Sequence, residues 1–200
     1  MVGPGGAINS ENVFVYGSLI RERSANGEGK LNIPTRVAGL KRGWYVPVLE
    51  DRNTGLGVIL DNNSCCNGVL VNANEEYLSK TDTRETIHDY RRVELPRGSV
   101  ESQDAVDKIW VYVIDNPTLP TLDCPIAQSY LDVVLTGCLE VGEDFAEDFV
   151  LTTCGWEASW INDRDQPRYR RFVPGDAGRI DNLLGRLIPN QLSNRFKPAR

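Results

Sequence analysis

Apolar positions fall into short runs in the first half of the chain and into helical spacing in the second. Val13-Phe14-Val15-Tyr16 is stopped by Gly17-Ser18. Its length, β-branching and glycine stop predict a buried strand. Residues 21–34 are polar and glycine-containing, which predicts a loop or a short helix. Arg36 to Leu49 is rich in Val, Trp and Tyr but interrupted by Gly39, Gly43 and Pro47. That pattern suits one bent or bulged strand, or two short ones. Gly57-Val58-Ile59-Leu60 and Gly68-Val69-Leu70-Val71 predict two further short strands, with Asn62-Asn63-Ser64 as the turn between them. Asn74, followed by Glu75 and Glu76, predicts the start of a helix running to about Arg84. Tyr90–Leu95 alternates as a strand does. Ile109–Ile114 is the strongest strand signal, ended by Asp115-Asn116-Pro117.

From Pro125 onward the period changes. Ile126, Tyr130, Val133, Val134, Gly137 and Val141 lie near helical spacing, with Pro125 suited to the first helical position and Gly142 to the stop. A second helix is predicted over Glu143–Thr153 and a short third one over Ile180–Leu187. Strands first and helices later predict an α+β fold. The glycine-rich lead-in, residues 1–11, reads as flexible, residues 12–175 as one domain, and 176–200 as a C-terminal helical extension.

Composition narrows the chemistry. Sixteen aromatic residues and evenly spread aliphatics in 200 residues are enough for a sizeable core. Lys and Arg number 22 against 28 Asp and Glu, a net charge of −6. That balance argues against nucleic acid or an anionic membrane as a partner. No apolar run approaches membrane-spanning length, and Met1–Glu11 has no signal-peptide core, so the expected location is cytoplasmic. His88 is the single histidine. A Ser-His-Asp or Cys-His mechanism would have to run through it, and a two- or three-histidine zinc site is excluded. The five cysteines, 65, 66, 124, 138 and 154, include no C-x-x-C pair and read as reduced, buried thiols. No metal site is expected, and Ser18 lies in no G-x-S-x-G motif.

Two segments carry candidate chemistry. Tyr16-Gly17-Ser18-Leu19 ends the first strand. It is either an ordinary strand-to-loop turn or a cradle of backbone amides for a carboxylate or oxyanion, approached closely because Gly17 has no Cβ. Asp82-Thr83-Arg84-Glu85 ends the first helix, where the dipole disfavours an acid. Glu85 is thus either a solvated charge or a general base turned into a pocket.

Taken together, these segments resemble the gamma-glutamylcyclotransferase-like family. Val13 to Leu19 is similar to its signature strand and loop. Leu78 through Glu85 to Tyr90-Arg91-Arg92-Val93 is similar to its acidic segment, and Trp110-Val111-Tyr112-Val113 to a later core strand. Tyr130-Leu131-Asp132 with Gly137-Cys138-Leu139-Glu140 looks like the C-terminal helix of the bacterial members. The resemblance implies a small mixed β-barrel flanked by helices, with no cofactor. It implies cyclisation of a γ-glutamyl amide to 5-oxoproline with release of an amine or amino acid. The substrate's own α-amine is then the nucleophile, so one base suffices. Glu85 matches the catalytic carboxylate, Tyr16, Gly17, Ser18 and Leu19 match the substrate-binding loop, and Tyr90 and Tyr112 are further pocket candidates. Arg84 either meets a substrate carboxylate or forms an ion pair. His88 reads as a loop or edge-strand side chain. Trp156–Arg171, with Trp160, Arg164, Arg168 and Arg170, reads as a surface segment with cation–π contacts or as a recognition segment. The alternative is a non-catalytic small-ligand-binding protein on the same fold. The two part on whether Glu85 faces Gly17–Leu19 across one pocket.

Overall fold

The computed structural model describes residues 11–21, 32–101 and 108–196. Most of the flexible lead-in and of the expected 21–34 loop lies outside the described residues. Glu11 already belongs to the first strand and residues 32–34 to the second.

Strand β1 (Glu11–Val15) pairs antiparallel with β3 (Asn53–Ala73) and parallel with β5 (Lys108–Ile114), which pairs antiparallel with β4 (Tyr90–Glu94). β2 (Asn32–Val48) runs antiparallel to β3 along nearly its whole length. Two-residue strands complete one mixed sheet: β6 (Ile126–Ala127) on β3, β7 (Thr153–Cys154) on β2, then β8 (Trp160–Ile161) and β9 (Arg195–Phe196). The sheet curls into a half-barrel flanked by α1 (Glu75–Thr86), α2 (Gln128–Val141), α3 (Glu143–Leu151), α4 (Ala177–Leu187) and α5 (Pro189–Leu192). This is the expected α+β architecture.

Strand alternation divides the core between the two faces of the sheet. Val13 and Val15 point toward the helices, into a cluster with Trp44, Leu131, Phe149, Trp160 and Leu184. Phe14 and Tyr16 point the other way, into a cluster with Leu40, Val58, Leu70 and Val111 that the sheet builds against itself. Leu131 and Leu135 of α2 are wholly buried, each contributing roughly 1.5–3 kcal/mol. The apolar face of α4, Ile180, Leu183 and Leu184, enters the helix-side core.

The sequence pattern misreads three places. Residues 57–60 and 68–71 belong to one 21-residue strand and not to two, whereas residues 36–49 fall almost entirely in one bulged 17-residue strand, the first of the two forms expected for them. The Asn62-Asn63-Ser64 turn is a bulge within that hairpin. Ala38 faces Cys65 and Leu40 faces Leu60, so residues 61–64 oppose Gly39 alone. The Asp61 carboxylate accepts from Asn63 N and Ser64 Oγ, and Gly39 takes φ +86°. Turn chemistry here satisfies an expanded strand rather than reversing the chain. Second, Pro125 precedes the helix by three residues, because Ile126 and Ala127 are taken into the sheet between β3 and β8. Third, Trp156 and Trp160 are buried in the core and not on the surface. Among the cysteines, all unpaired, Cys65 is exposed, with Arg36 Nη2 donating to its sulfur at 3.1 Å.

One cation holds the helices to the hairpin. Arg42 of β2 is fully buried. Its guanidinium donates to Asn67 O, Asn67 Oδ1, Thr153 Oγ1, Thr152 Oγ1 and Phe149 O, at 2.6–3.0 Å, and lies 3.7 Å over the Phe149 ring. Burial lowers its pKa from the usual arginine value. These acceptors come from two strands and the end of α3, so the fork fixes all three together.

Two outcomes follow from this packing. Arg42→Lys should destabilise the fold by about 3 kcal/mol, because an ammonium has three donors and cannot match the fork; urea unfolding measures it. Gly137→Ala should lower the melting temperature despite the ~1 kcal/mol propensity gain. A Cβ there would sit 2.6 Å from Arg21 N and 2.8 Å from Arg21 Cα, which are backbone atoms.

Candidate functional site

β1 ends where the sheet curls, and the chain turns through Gly17 to Ile20, whose amide donates to Gly17 O at 3.0 Å. α1 ends nearby. Its N-terminus is capped by Asn74, whose side chain accepts from Tyr77 N. Twelve residues then carry Glu85 to the last turn. Between the two lies a cavity of about 370 Å³. Tyr16, Gly17, Ser18, Leu19, Glu85, Tyr90 and Tyr112, all seven residues marked from the sequence, line it.

The Glu85 side chain is only 18% exposed, so it is not a solvated loop charge. Arg84 Nε and Nη2 both donate to Glu85 Oε1, at 2.8 and 2.6 Å. Of the two roles open to Arg84, the ion pair is the one seen here. His88 sits in the turn after α1, its amide donating to Glu85 O, and also lines the cavity.

Phenols make up much of the wall. Tyr16 Oη donates to Tyr112 O at 2.7 Å, and Tyr90 Oη to Leu56 O at 2.6 Å. The Tyr112 hydroxyl turns away to Asp82 Oδ1 at 2.8 Å, so this residue offers the cavity its ring. Burial first, then neighbouring phenols and the Glu85 charge, push Tyr16 and Tyr90 well above the ordinary phenol pKa. Both stay neutral hydrogen-bonding groups beside the carboxylate.

Tyr130 lines the same cavity, and its pKa is likewise raised by burial and by Tyr169. Sequence periodicity assigns Tyr130 to a helix face without showing that its hydroxyl reaches the β1 turn. A Cβ on Gly17 would stand 3.2 Å from Tyr130 Oη, so glycine keeps this corner open. Tyr169 packs edge-on against Tyr130, centroids 4.9 Å apart. It is held by Asp163, whose carboxylate accepts from Ser129 N, Ser129 Oγ and Arg168 N, while Ser129 Oγ accepts from Tyr169 N. Asp163 is 1% exposed. The 156–171 segment is thus partly core and partly cavity wall, through Tyr169, Arg170 and Arg171. Asn53 and Asp51, from the hairpin end of β2–β3, also line the cavity and carry no sequence signal of it.

Among the described residues no group of three or more His, Cys, Asp or Glu is placed to hold a metal ion. No helix among them is long and apolar enough to cross a membrane.

A solved gamma-glutamyl cyclotransferase structure is 14% identical and superposes with a TM-score of 0.55, over 88% of this chain and 99% of that one. An uncharacterized protein from Homo sapiens gives the same identity and TM-score, over 88% and 98%. YkqA from Bacillus subtilis is 18% identical, TM-score 0.51, over 72% of this chain and 54% of that one. At these identities the likeness concerns the fold. No curated protein matches the sequence. The family model described as gamma-glutamyl cyclotransferase, AIG2-like, matches residues 13–131, from β1 into α2. Since that match takes in more than half of the chain and both segments that meet at the cavity, the protein belongs to the gamma-glutamyl cyclotransferase, AIG2-like family.

Proposed function

We propose that this protein cyclises a γ-glutamyl amide to 5-oxoproline and releases an amine or amino acid, with Glu85 as the general acid and base. The observation that carries the reading is that Glu85 and the Gly17–Leu19 turn line one cavity. Membership of the family supports the reaction class.

The substrate's α-amine attacks its own γ-carbonyl carbon, forming the ring C–N bond and leaving an oxyanion. Expulsion of the amine nitrogen breaks the original amide bond and restores the carbonyl. The α-ammonium gives up two protons in the process and the departing nitrogen takes two, so charge is conserved. Glu85 relays these protons as carboxylate and then as acid. The Gly17, Ser18 and Leu19 amides hold the α-carboxylate or the developing oxyanion. Tyr16, Tyr90 and the Tyr112 ring confine the chain in its folded conformer, which is where a five-membered closure gains most. The guanidinium of Arg84 fixes the direction of the Glu85 carboxylate. Every step uses this chain's own residues. The working unit is the segment 12–175. The extension 176–200 braces it through Asp181, which accepts from both Arg164 and Arg195.

A panel of γ-glutamyl compounds assayed for 5-oxoproline tests the reading. Glu85→Gln keeps the shape and loses the base. It should lower kcat by about 10²–10⁴-fold, with substrate binding changed only a few-fold and the melting temperature unmoved. Full activity in that variant refutes the role of Glu85. Binding without turnover across the panel by the unmodified protein favours the non-catalytic alternative.

A further inference from the structure

The first turn of α2 is capped from a distance. Ala127, the residue before the helix, has no side-chain acceptor, and its backbone belongs to the sheet. The Ser129 amide is taken instead by Asp163, two residues past β8, whose Oδ1 accepts from it at 2.8 Å. The other oxygen, Oδ2, accepts from Ser129 Oγ at 2.6 Å and from Arg168 N at 2.8 Å. Ser129 Oγ accepts in turn from Tyr169 N at 3.2 Å. Asp163 and Ser129 are 1% and 0% exposed. A carboxylate buried this deeply is costly unless donors meet it. The donors it has, two backbone amides and a hydroxyl, are all uncharged. Apolar residues of the same size would hold β8 to α2 about as well. What the carboxylate adds is direction, because each donor must point at it.

Both segments that it ties reach the cavity. Tyr130 follows Ser129 in the chain, Tyr169 follows Arg168, and both tyrosines line the cavity. Their rings meet edge to face at 88°. Tyr130 Oη meets Leu56 N at 3.5 Å and also hydrogen-bonds Ser18, so it stands at the turn that Gly17 keeps open. Tyr130 lies inside the stretch matched by the family model, residues 13–131, whereas Asp163, Arg168 and Tyr169 lie beyond it.

We infer that Asp163 is a positioning residue for the reaction. Through Arg168 N and Ser129 Oγ it sets the Tyr169 ring, and through that ring the place of the Tyr130 phenol beside the Gly17–Leu19 turn. Asp163 itself is no part of the cavity wall. The inference rests on the cyclotransferase reading. Ring closure depends on the conformer in which the substrate is held, so a wall displaced by about 1 Å lowers the rate by up to roughly 10²-fold.

The test uses the γ-glutamyl compound that the unmodified protein turns over fastest, assayed for 5-oxoproline well below each variant's melting temperature. Asp163→Asn keeps an oxygen for Ser129 N but turns its NH2 toward Arg168 N, donor against donor. It should lower kcat by about 10–100-fold and leave KM within about threefold. Tyr169→Leu removes the ring through which the tie acts. In that background Asp163→Asn should lower kcat by no more than about twofold further. Ser129→Ala keeps both backbone bonds to Asp163 and deletes only the hydroxyl between it and Tyr169 N. It should lower kcat about three- to tenfold, again with KM nearly unmoved, and it decides the question if Asp163→Asn does not fold. Unchanged kcat in folded Asp163→Asn or in Ser129→Ala, or the same loss with and without the Tyr169 ring, overturns the inference and leaves the cyclotransferase reading standing. Absence of 5-oxoproline release by the unmodified protein from every γ-glutamyl compound removes that reading, and the positioning role with it.

Discussion

Strand β3 constrains the rest of the molecule. Twenty-one residues of extended backbone carry donors and acceptors on both edges, and where they are buried they must be paired. β2 covers one edge almost throughout, while β1 takes residues 69–73 and β6 meets Thr54 on the other. So long a strand cannot stay flat. The bulges opposite Gly39 and near Trp44–Val46 bend the hairpin and let the sheet curl. The curl brings the start of β3, with Asn53 and Leu56, beneath the end of β1.

The cavity is the space that this curl leaves open. Its floor is sheet, neutral phenols line much of its wall, the partly buried Glu85 carboxylate enters from the last turn of α1, and the Asp51–Arg170 ion pair stands at the hairpin end. An acid at a helix C-terminus is locally unfavourable, and Arg84 answers that with two hydrogen bonds to one Glu85 oxygen. On the far side, the buried Asp163–Ser129 pair orients residues 168–171. The same polar layer continues through Asp132 and Arg164, which joins α2 to the C-terminal helices. Packing that fixes the helices therefore also fixes the cavity wall.

Much of this is legible in the amino-acid sequence. The Val13–Tyr16 run, the Asn74 cap and the Ile109–Ile114 run give β1, α1 and β5, because each is decided by local period and capping. Tyr16-Gly17-Ser18-Leu19 and Glu85 were legible as a pair through resemblance to a family. The misreadings share a cause. Asn62-Asn63-Ser64 carries turn chemistry that a bulge uses as well as a reversal does. Ile126-Ala127 fits a helix until a neighbouring strand claims its backbone. Trp156 and Trp160 sit among charged residues in sequence and within the aromatic core in space.

Local patterning in the chain sets the alternation of strands, the helix caps, the carboxylate at the end of α1 and the scarcity of histidine that leaves a one-carboxylate mechanism in view. These are properties of a residue and its near neighbours. Which distant groups share the cavity emerges from the folded packing alone: Tyr130 with Gly17, Tyr169 held by Asp163, Asn53 with Arg170. Their meeting depends on the bend of a long hairpin and on burial from several elements at once, and no local pattern encodes either.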